Sequence, residues 1–248
     1  MTALEQAARW IGQARRMVFL GGAGVSAPSG IPDFRSAGGI GGDFETILSH
    51  DYFMERPEAF YAFYRSHMVY PEAKPNLAHR TLAGWERAGL LRAVITQNID
   101  GLHQAAGSRR VLELHGSVLR NHCMACGQAY GLERILEGEG TPRCRCGGVI
   151  KPDVVLYGEP LEPDTWQAAE EAVAEADLML VAGTSLRVYP AAGLLQRMGQ
   201  GRLVLINREP TAMDRLCDCV IHGDLQDAFA YLAQAVGGAN HGGEKNEA

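Results

Sequence analysis

The stretch MVFLGGAGVSAPSGIPDFRS (residues 17–36) decides the fold of this chain. Its apolar start predicts a buried strand, and the Gly22-x-Gly24-x-x-Ala27 turn that follows would let a pyrophosphate approach the backbone. A dinucleotide-binding fold ordinarily continues into a long helix, but two prolines end any helix here, because proline lacks the N–H and clashes with the preceding turn. We therefore expect a phosphate-binding turn and then a loop that brings a charged pair and an aromatic ring close to the phosphates, namely Asp33, Phe34 and Arg35.

The bulk composition limits the class of protein. The 248 residues are 46% hydrophobic, enough for one good core or for a large domain with a smaller one attached. No apolar run is long enough to span a bilayer, and the amphipathic helix predicted over residues 1–16 lacks the apolar region of a signal peptide. These features predict a cytosolic protein that does not insert into membranes. The net charge of −6 and the absence of long basic runs argue against direct nucleic-acid binding.

Short apolar runs recur along the chain at the spacing of an α/β protein with a parallel sheet covered on both faces. The predicted strands are Met17–Leu20, Arg92–Thr96, Val111–Leu114, Leu178–Val181, Leu203–Ile206 and Cys219–His222. The predicted helices between them are Pro57–Val69, Asn76–Ala88, Pro163–Glu175, Pro190–Met198 and Leu225–Ala235. The alternation of predicted strands and helices is interrupted at residues 36–75 and 120–151. We interpret these two regions as insertions that build a small second domain. The Gly- and charge-rich tail, residues 237–248, is predicted to be disordered.

Four of the six cysteines are paired at metal-ligand spacing. Cys123-x-x-Cys126 is followed by Cys144-x-Cys146, and glycine follows each pair. The arrangement is close to a two-knuckle zinc site, although the second pair is one residue shorter than usual. The alternatives are two disulfides or four buried thiols, and a cytosolic location disfavours the disulfides. Four thiolates would close the coordination shell, so the predicted role of the zinc is structural.

Polar residues cluster where predicted strands end, which is where ligands bind in a parallel sheet. Asn98 and Asp100 follow one strand and could bind a ribose or a carboxamide, or could cap the next helix. His115 follows another strand, where it could act as a general base or be a satisfied structural histidine. Gly183-Thr184-Ser185, Asn207 and Glu209 follow two further strands, as nucleotide contacts or as turn residues.

A β-prone segment follows the cysteine module. Residues 151–159, KPDVVLYGE, could form a buried core strand or could present an edge to an extended peptide by strand addition. The other histidines, including His67, His79 and His103, have less support, and we interpret them as packing or surface residues.

Taken together, the motifs resemble those of the sirtuins, the NAD-dependent protein-lysine deacylases. The match runs from about Val18 to about Leu232 and consists of GAGVSAPSGIPDFRS (22–36), TQNID (96–100), LHGS (114–117), the four cysteines, PDVVLYGE (152–159), GTSL (183–186) and Asn207. The resemblance implies a large Rossmann-like domain made of residues 1–35, 76–119 and 152–236. It also implies a small domain, made of a cofactor loop with a helical module (36–75) and a zinc module (120–151). NAD and an acyl-lysine peptide would meet in the cleft between the two domains.

The resemblance also implies a role for each motif residue. The pyrophosphate, ribose and nicotinamide would be surrounded by Gly22, Ala23, Gly24, Ala27, Phe34, Arg35, Gln97, Asn98, Ile99 and Asp100. The adenosine half would be held by Gly183, Thr184, Ser185, Asn207, Glu209, Asp224 and Leu225. The substrate backbone would be clamped by Val154, Val155, Leu156, Tyr157 and Val188. One structural Zn²⁺ would be bound by Cys123, Cys126, Cys144 and Cys146.

The reaction that the resemblance implies begins when the acyl oxygen attacks C1′ of the nicotinamide ribose and nicotinamide leaves. His115 would be the general base toward a ribose hydroxyl, and Asn98 and Asp100 would position nicotinamide and water. Family members that prefer succinyl or malonyl lysine carry a Tyr-x-x-Arg pair. Here Tyr61 is present but Tyr64 stands at the arginine position, with Arg65 next to it. An acidic acyl group would then be buried unpaired, which is costly, so the expected acyl group is acetyl or another uncharged chain.

Overall fold

We describe a computed structural model of the chain for residues 1–32 and 43–239. The strands in this part of the chain are β1 Met17–Gly21, β2 Leu91–Thr96, β3 Val111–Glu113, β4 Gly116–Cys123, β5 Ala129–Tyr130, β6 Ile150–Val154, β7 Leu178–Ala182, β8 Arg202–Asn207 and β9 Cys219–His222. All six strands predicted from the apolar runs are present within one residue of their expected ends. The predicted loop residues Asp33, Phe34 and Arg35 and the end of the predicted disordered tail lie outside the described residues.

The α-helices of the same residues are α1 Ala3–Gln13, α2 Phe44–Ile47, α3 His50–Glu55, α4 Pro57–His67, α5 Leu77–Arg87, α6 Leu102–Ala105, α7 Leu132–Leu136, α8 Pro163–Ala174 and α9 Leu225–Ala239. Between β1 and residue 32 the chain forms two short 3-10 helices, Ala23–Val25 and Ala27–Ser29, and no long helix, as expected from the prolines of this stretch. The helix expected over Pro190–Met198 is a 3-10 helix over Ala191–Arg197, in a segment where proline and glycine both disfavour α-helix.

Six strands form a parallel sheet in the order β3-β2-β1-β7-β8-β9. This is the Rossmann-like order, in which the connections leave in opposite directions from the two central strands and open a crevice at their carboxyl ends. The register places Gly21 beside Thr96 on one side and beside Ala182 on the other, and pairs Ala182 with Ile206. The loops that begin at residues 22, 97, 183 and 207 therefore emerge side by side.

The sheet has an apolar core on each face. One core lies under α1, α5 and α9 and includes Phe19, Trp85 and Phe229, and the other lies under α8 and includes Leu20, Val181 and Leu205. All six side chains are at most 6% exposed. Burial on both faces explains why these strands are continuous apolar runs rather than alternating ones.

The two irregular regions of the sequence share a third core. Strands β5, β4 and β6 form a small antiparallel sheet, and its residues Val118, Ile150 and Val154 pack with Phe60 and Tyr64 of α4. The sequence predicted two insertions without evidence that they pack together. This cluster contains residues of both insertions and shows that they do. No helix among the described residues is both long and apolar enough to cross a membrane.

Candidate active site

A cavity of about 1400 Å³ lies at the carboxyl ends of the parallel strands, next to the small antiparallel sheet. Cavities for a single small ligand are typically 300–1,000 Å³, so this one has room for a dinucleotide and part of a peptide. Most residues that the sequence predicted for the site line it: Ala23, Gly24, Ala27, Gln97, Asn98, Ile99, Asp100, His115, Val154, Val155, Leu156, Tyr157, Gly183, Thr184, Ser185, Val188, Asn207, Glu209 and Leu225.

Four predicted residues are not seen on this wall. Phe34 and Arg35 lie outside the described residues. Gly22 lies behind the wall, where a Cβ would come 2.8 Å from Cβ of Thr184, so only glycine fits. The Asp224 carboxylate accepts the backbone N–H groups of Gln226 and Asp227 at the start of α9. Its contact with adenosine stays a prediction.

The turns after β1 and β7 touch each other at the centre of the sheet. The Gly24 N–H donates to the Gly183 carbonyl at 2.8 Å, and a Cβ on Gly24 would lie 2.8 Å from the Gly183 Cα. Neither position has room for a side chain. Gly24 and Gly183, 159 positions apart in the sequence, therefore allow one close backbone contact beside the cavity.

Asn98 and Asp100 are joined through the Ser26 hydroxyl. Asn98 Nδ2 donates to Ser26 Oγ at 3.0 Å, and that hydroxyl donates to Asp100 Oδ2 at 2.6 Å. The other oxygen, Asp100 Oδ1, accepts the Leu102 N–H at the start of α6. Asp100 thus supports the helix start with one oxygen while the other accepts the Ser26 hydroxyl. Its contact with a ribose or a carboxamide stays a prediction. Burial raises the pKa of Asp100, and the hydrogen bonds from Ser26 and Leu102 oppose the rise.

The sequence analysis missed His79, which lies behind this network. Its Nε2 is 3.5 Å from Ser26 Oγ, and its Nδ1 accepts the Asn76 N–H in the capping box of α5. That bond leaves the proton on Nε2, directed at Ser26. Burial lowers the pKa of His79 to about 4, so the ring is neutral at pH 7. The signal in the sequence was the Asn76-x-x-His79 spacing at a helix start, which also fits an ordinary cap.

His115 lies in the turn between β3 and β4, held from both sides. Its Nδ1–H donates to the Gln97 carbonyl at 3.0 Å, and its own carbonyl accepts the Val155 N–H. A carbonyl can only accept, so the proton is on Nδ1 and Nε2 keeps a lone pair on a ring that lines the cavity. Burial lowers the pKa of His115, and the bond to Gln97 opposes the shift. The ring is therefore a neutral base at pH 7.

The small antiparallel sheet approaches His115 closely because the next residue is glycine. A Cβ on Gly116 would lie 1.8 Å from the Asp153 carbonyl oxygen, and its φ of +76° is in the left-handed region. The segment after β6 then continues along the cavity, tied down by bonds from Tyr157 N to Leu48 O and from His50 N to Tyr157 O. β6 ends at Val154, and the residues that follow line the cavity, although Leu156 is also buried in the third core. Addition of a peptide strand to this segment stays a prediction.

Of Tyr61, Tyr64 and Arg65 on helix α4, only Tyr64 lines the cavity. Tyr64 lines the cavity, whereas the Tyr61 hydroxyl bonds to the Ile150 carbonyl inside the small unit. Arg65 Nε donates to the Ile135 carbonyl at 2.6 Å, and its guanidinium lies over the Tyr61 ring. His67 also lines the cavity, which the sequence analysis did not anticipate. No arginine of α4 lines the cavity.

The four knuckle cysteines converge on one point. Their sulfur atoms all lie within 4.8 Å of one another, with Cys123–Cys146, Cys126–Cys146 and Cys126–Cys144 at 3.5, 3.5 and 3.6 Å. A tetrahedron of sulfurs about 2.3 Å from a zinc ion has edges of roughly 3.8 Å, so the set fits this ion. The N–H of Cys146 donates to Cys144 Sγ and, with the Tyr130 hydroxyl, lowers the pKa of Cys144 to about 6. The short second knuckle is thus compatible with thiolate ligation.

These features recur in known proteins. The model of the Sir2 family matches residues 22–190, which is more than half of the chain. The chain belongs to the Sir2 family. An NAD-dependent protein deacetylase of Cutibacterium acnes is 52% identical over 94% of this chain and 98% of its own length. A second NAD-dependent protein deacetylase, from Clostridium perfringens, is 50% identical over 87% and 92%.

A solved Sir2 structure shares the fold. A Sir2 protein with a p53 peptide and NAD⁺ superimposes with a TM-score of 0.84, at 38% identity, over 96% of this chain and 100% of that one. The resemblance inferred from the motifs is confirmed, and so is the fold class with its Rossmann-like sheet and its small zinc-binding part.

Proposed function

We infer that this Sir2 protein is an NAD-dependent protein-lysine deacetylase. It removes acetyl, or another uncharged acyl group, from lysine and releases nicotinamide, O-acyl-ADP-ribose and free lysine. The observation that carries this conclusion is the neutral His115, with Nε2 available, in one cavity with the Asn98–Ser26–Asp100 network. NAD is a co-substrate. The four cysteines form a closed structural site for the zinc ion, with no position left for water.

Each side chain of the site has a task in this reaction. His115 accepts a proton from a ribose hydroxyl through Nε2, while its Nδ1 bond to Gln97 fixes the ring. Asn98 and Asp100 orient nicotinamide and water, and Ser26 holds the two at a fixed separation. The Gln97 amide nitrogen is buried and has no partner among the described residues, as expected for a group that binds a ligand.

The other proposed contacts bind the adenosine half of NAD and the backbone of the peptide substrate. Gly183, Thr184, Ser185 and Asn207 hold the adenosine half, and the substrate backbone lies between residues 154–157 and Val188. The zinc module, residues 120–151, keeps the small sheet folded through its four cysteines. In this proposal the Rossmann-like domain consists of residues 1–35, 76–119 and 152–236, and the small domain consists of 36–75 and 120–151. The protein acts in the cytoplasm on proteins and does not bind nucleic acid directly, in keeping with its net charge of −6.

Uncharged acyl groups are favoured because Arg65, the arginine of α4, is engaged elsewhere. The Arg65 side chain bonds to Ile135, away from the cavity, and the Tyr64 side chain that replaces it is fully buried. A carboxylate at this end of the cavity would lose its water without gaining a cation, at a cost of several kcal/mol.

The test removes the base. We expect His115→Ala to lower the steady-state rate at which an acetylated peptide is converted to deacetylated peptide by about two to four orders of magnitude, the usual contribution of a general base. Stabilisation by NAD in a thermal unfolding assay serves as the control and should persist, because the loops that bind the dinucleotide are intact. Full deacetylation by the variant would refute the role of His115. NAD binding by the native protein without nicotinamide release from any acyl-peptide would favour an NAD-binding regulator instead.

A further inference from the structure

The loop after β7 presents an arginine at the wall of the cavity. Leu186 is 4% exposed and has a φ of 53°, unusual for a residue with a side chain, and its N–H donates to Thr184 Oγ1. Ala191 is again fully buried. Between these two anchors the chain is forced outward, so Arg187 is exposed and Tyr189 is 62% exposed while both line the cavity.

Arg187 differs from the other charged groups of this wall that lie outside the proposed NAD contacts, because it has no partner among the described residues. Among the described residues it makes no ion pair and no side-chain hydrogen bond, whereas its charged neighbours on the wall outside the proposed NAD contacts are neutralised. The neutralised pairs are Glu159 with Lys151 at 3.1 Å and with His50 at 2.9 Å, Arg197 with Glu170 at 2.9 Å, and Arg208 with Asp224 at 3.1 Å. Within the described part of the chain, the wall therefore carries an unpaired positive charge beside Val188.

The backbone next to Arg187 is also unpaired. No described residue forms a backbone hydrogen bond with Arg187 or Tyr189, although the Val188 carbonyl accepts the Ala192 N–H. The Val155 carbonyl, on the segment after β6, likewise accepts no backbone bond among the described residues. Both segments can thus bind an extended chain through main-chain groups, with Arg187 beside that chain.

We propose that Arg187 selects substrates with an acidic residue close to the acyl-lysine. The proposal rests on the proposed function and adds a sequence preference to it. A strand rises about 3.3 Å per residue and an arginine side chain extends roughly 6–7 Å, so the acidic residue lies within about two positions of the modified lysine. Two exposed or half-exposed tyrosines, Tyr157 and Tyr189, flank the same path, and tyrosine and arginine are the side chains enriched at recognition surfaces.

The expected effect is modest because Arg187 is exposed. Solvent-exposed ion pairs change a free energy by a fraction of a kcal/mol to about 1 kcal/mol, which corresponds to about two- to fivefold in kcat/KM. Added salt should weaken the preference, since exposed charges are screened.

The experiment uses acetyl-lysine peptides that differ at one position only. Glu, Gln or Lys is placed in turn at each of the two positions on either side of the acetyl-lysine, and kcat/KM is measured for the native protein, Arg187→Gln and Arg187→Glu. We expect the native protein to prefer Glu at one or more positions by about two- to fivefold, Arg187→Gln to lose the preference and Arg187→Glu to reverse it. The matched control is Arg9→Gln, which makes the same charge change on the exposed face of α1 and should keep the native preference.

Other results would overturn the role of Arg187 or the proposed function itself. Equal kcat/KM for all peptides with the native protein, or a preference that survives in Arg187→Gln, overturns the proposal and leaves the deacetylase function intact. A raised KM for NAD in Arg187→Gln with an unchanged peptide preference overturns it too, and assigns the arginine to the co-substrate. Failure of the native protein to turn over any acetylated peptide removes the proposed function and this inference with it.

Discussion

At the scale of single residues, burial shifts the pKa values of two titratable side chains of the site in opposite directions. Desolvation disfavours the charged form of both, so it raises the pKa of the Asp100 carboxyl and lowers the pKa of the His115 imidazole. Hydrogen bonds to Asp100 restore part of its acidity, and the Gln97 carbonyl restores part of the basicity of His115. The result is a neutral imidazole with a fixed tautomer, which is the form a general base needs.

The pH dependence of turnover should report this arrangement. Because burial lowers the pKa of His115, the base stays neutral below the ordinary value of about 6.5, and protonation removes it only at lower pH. We expect kcat/KM for an acetylated peptide to be flat from pH 8 to pH 6.5 and to fall below it, tenfold per pH unit at the limit. Thermal unfolding over the same range checks that the protein stays folded. A fall that is already half complete above pH 6.5 would contradict the buried environment assigned to this ring.

Sequence reasoning found the residues of the site more readily than the links between them. Asn98, Asp100 and His115 follow apolar strands, and the carboxyl ends of parallel strands meet by geometry, so their convergence could be expected. The contact between His79 and Ser26 joins positions 53 residues apart and depends on how α5 packs against the turn after β1. No periodicity encodes such a distance, and a histidine in a capping position predicts a cap.

At the scale of elements, the helices and strands that could be predicted are those with a regular hydrophobic pattern in the sequence. The six strands of the parallel sheet are buried on both faces, so their apolar runs were sufficient evidence. Short helices such as α2 and α6 have too few residues to show a period, and the 3-10 helix over Ala191–Arg197 follows from tertiary packing of its buried alanines and leucines. The small sheet was missed for a similar reason, because β4 and β6 pair through a bulge and a glycine rather than through alternation.

The zinc knuckles are the element whose removal is easiest to measure. We expect the purified protein to bind one zinc ion per chain and Cys126→Ser to lose it, because the four sulfurs already converge at zinc-like separations. The loss should lower the unfolding temperature, with about 4–8 °C for each ~2 kcal/mol of lost stability in a chain of this size.

Cys217→Ser is the matched control for that experiment. Cys217 lies outside the cluster, and its thiol donates to the Met213 carbonyl, a bond that serine can also make. This variant should keep the metal and the native unfolding temperature. Metal content measured by elemental analysis decides the matter independently of activity, and a Cys126→Ser protein that retains its zinc would exclude Cys126 as a ligand.

At the scale of the whole molecule, the site is assembled where three cores meet. The two cores of the parallel sheet fix the turns after β1, β2 and β7, and the third core fixes α4 and the segment after β6. The cavity is lined by residues of the parallel-sheet part and by residues of the part that shares the third core. Polar groups are buried at this junction as a consequence, and the stability of the folded chain depends on their charge state.

Two buried histidines should make global stability depend on pH. His79 and His103 pack ring against ring with centroids 4.7 Å apart, and burial lowers their pKa values to about 4 and about 3. His103 is 1% exposed, and neither of its ring nitrogens has a partner among the described residues. Above pH 6.5 both rings are neutral in the folded and the unfolded chain, so their contribution to stability is complete. As the pH falls below 6.5, these histidines become protonated in the unfolded chain but stay neutral in the folded chain until about pH 3–4. The free energy of unfolding therefore decreases over this range.

Replacing one ring isolates this contribution. Each such histidine makes the free energy of unfolding fall by at most about 1.4 kcal/mol per pH unit. We therefore expect His103→Leu to lose about 1 kcal/mol less than the native protein between pH 6.5 and pH 5.5, measured by urea unfolding at both values. Asp100 acts with the opposite sign, because burial raises its pKa and the folded chain holds its proton more tightly, but it is present in both proteins and cancels in the difference. Parallel losses in the two proteins would mean that the folded chain protonates His103 as readily as the unfolded one does, and the neutral histidine pair behind Ser26 would have to be abandoned.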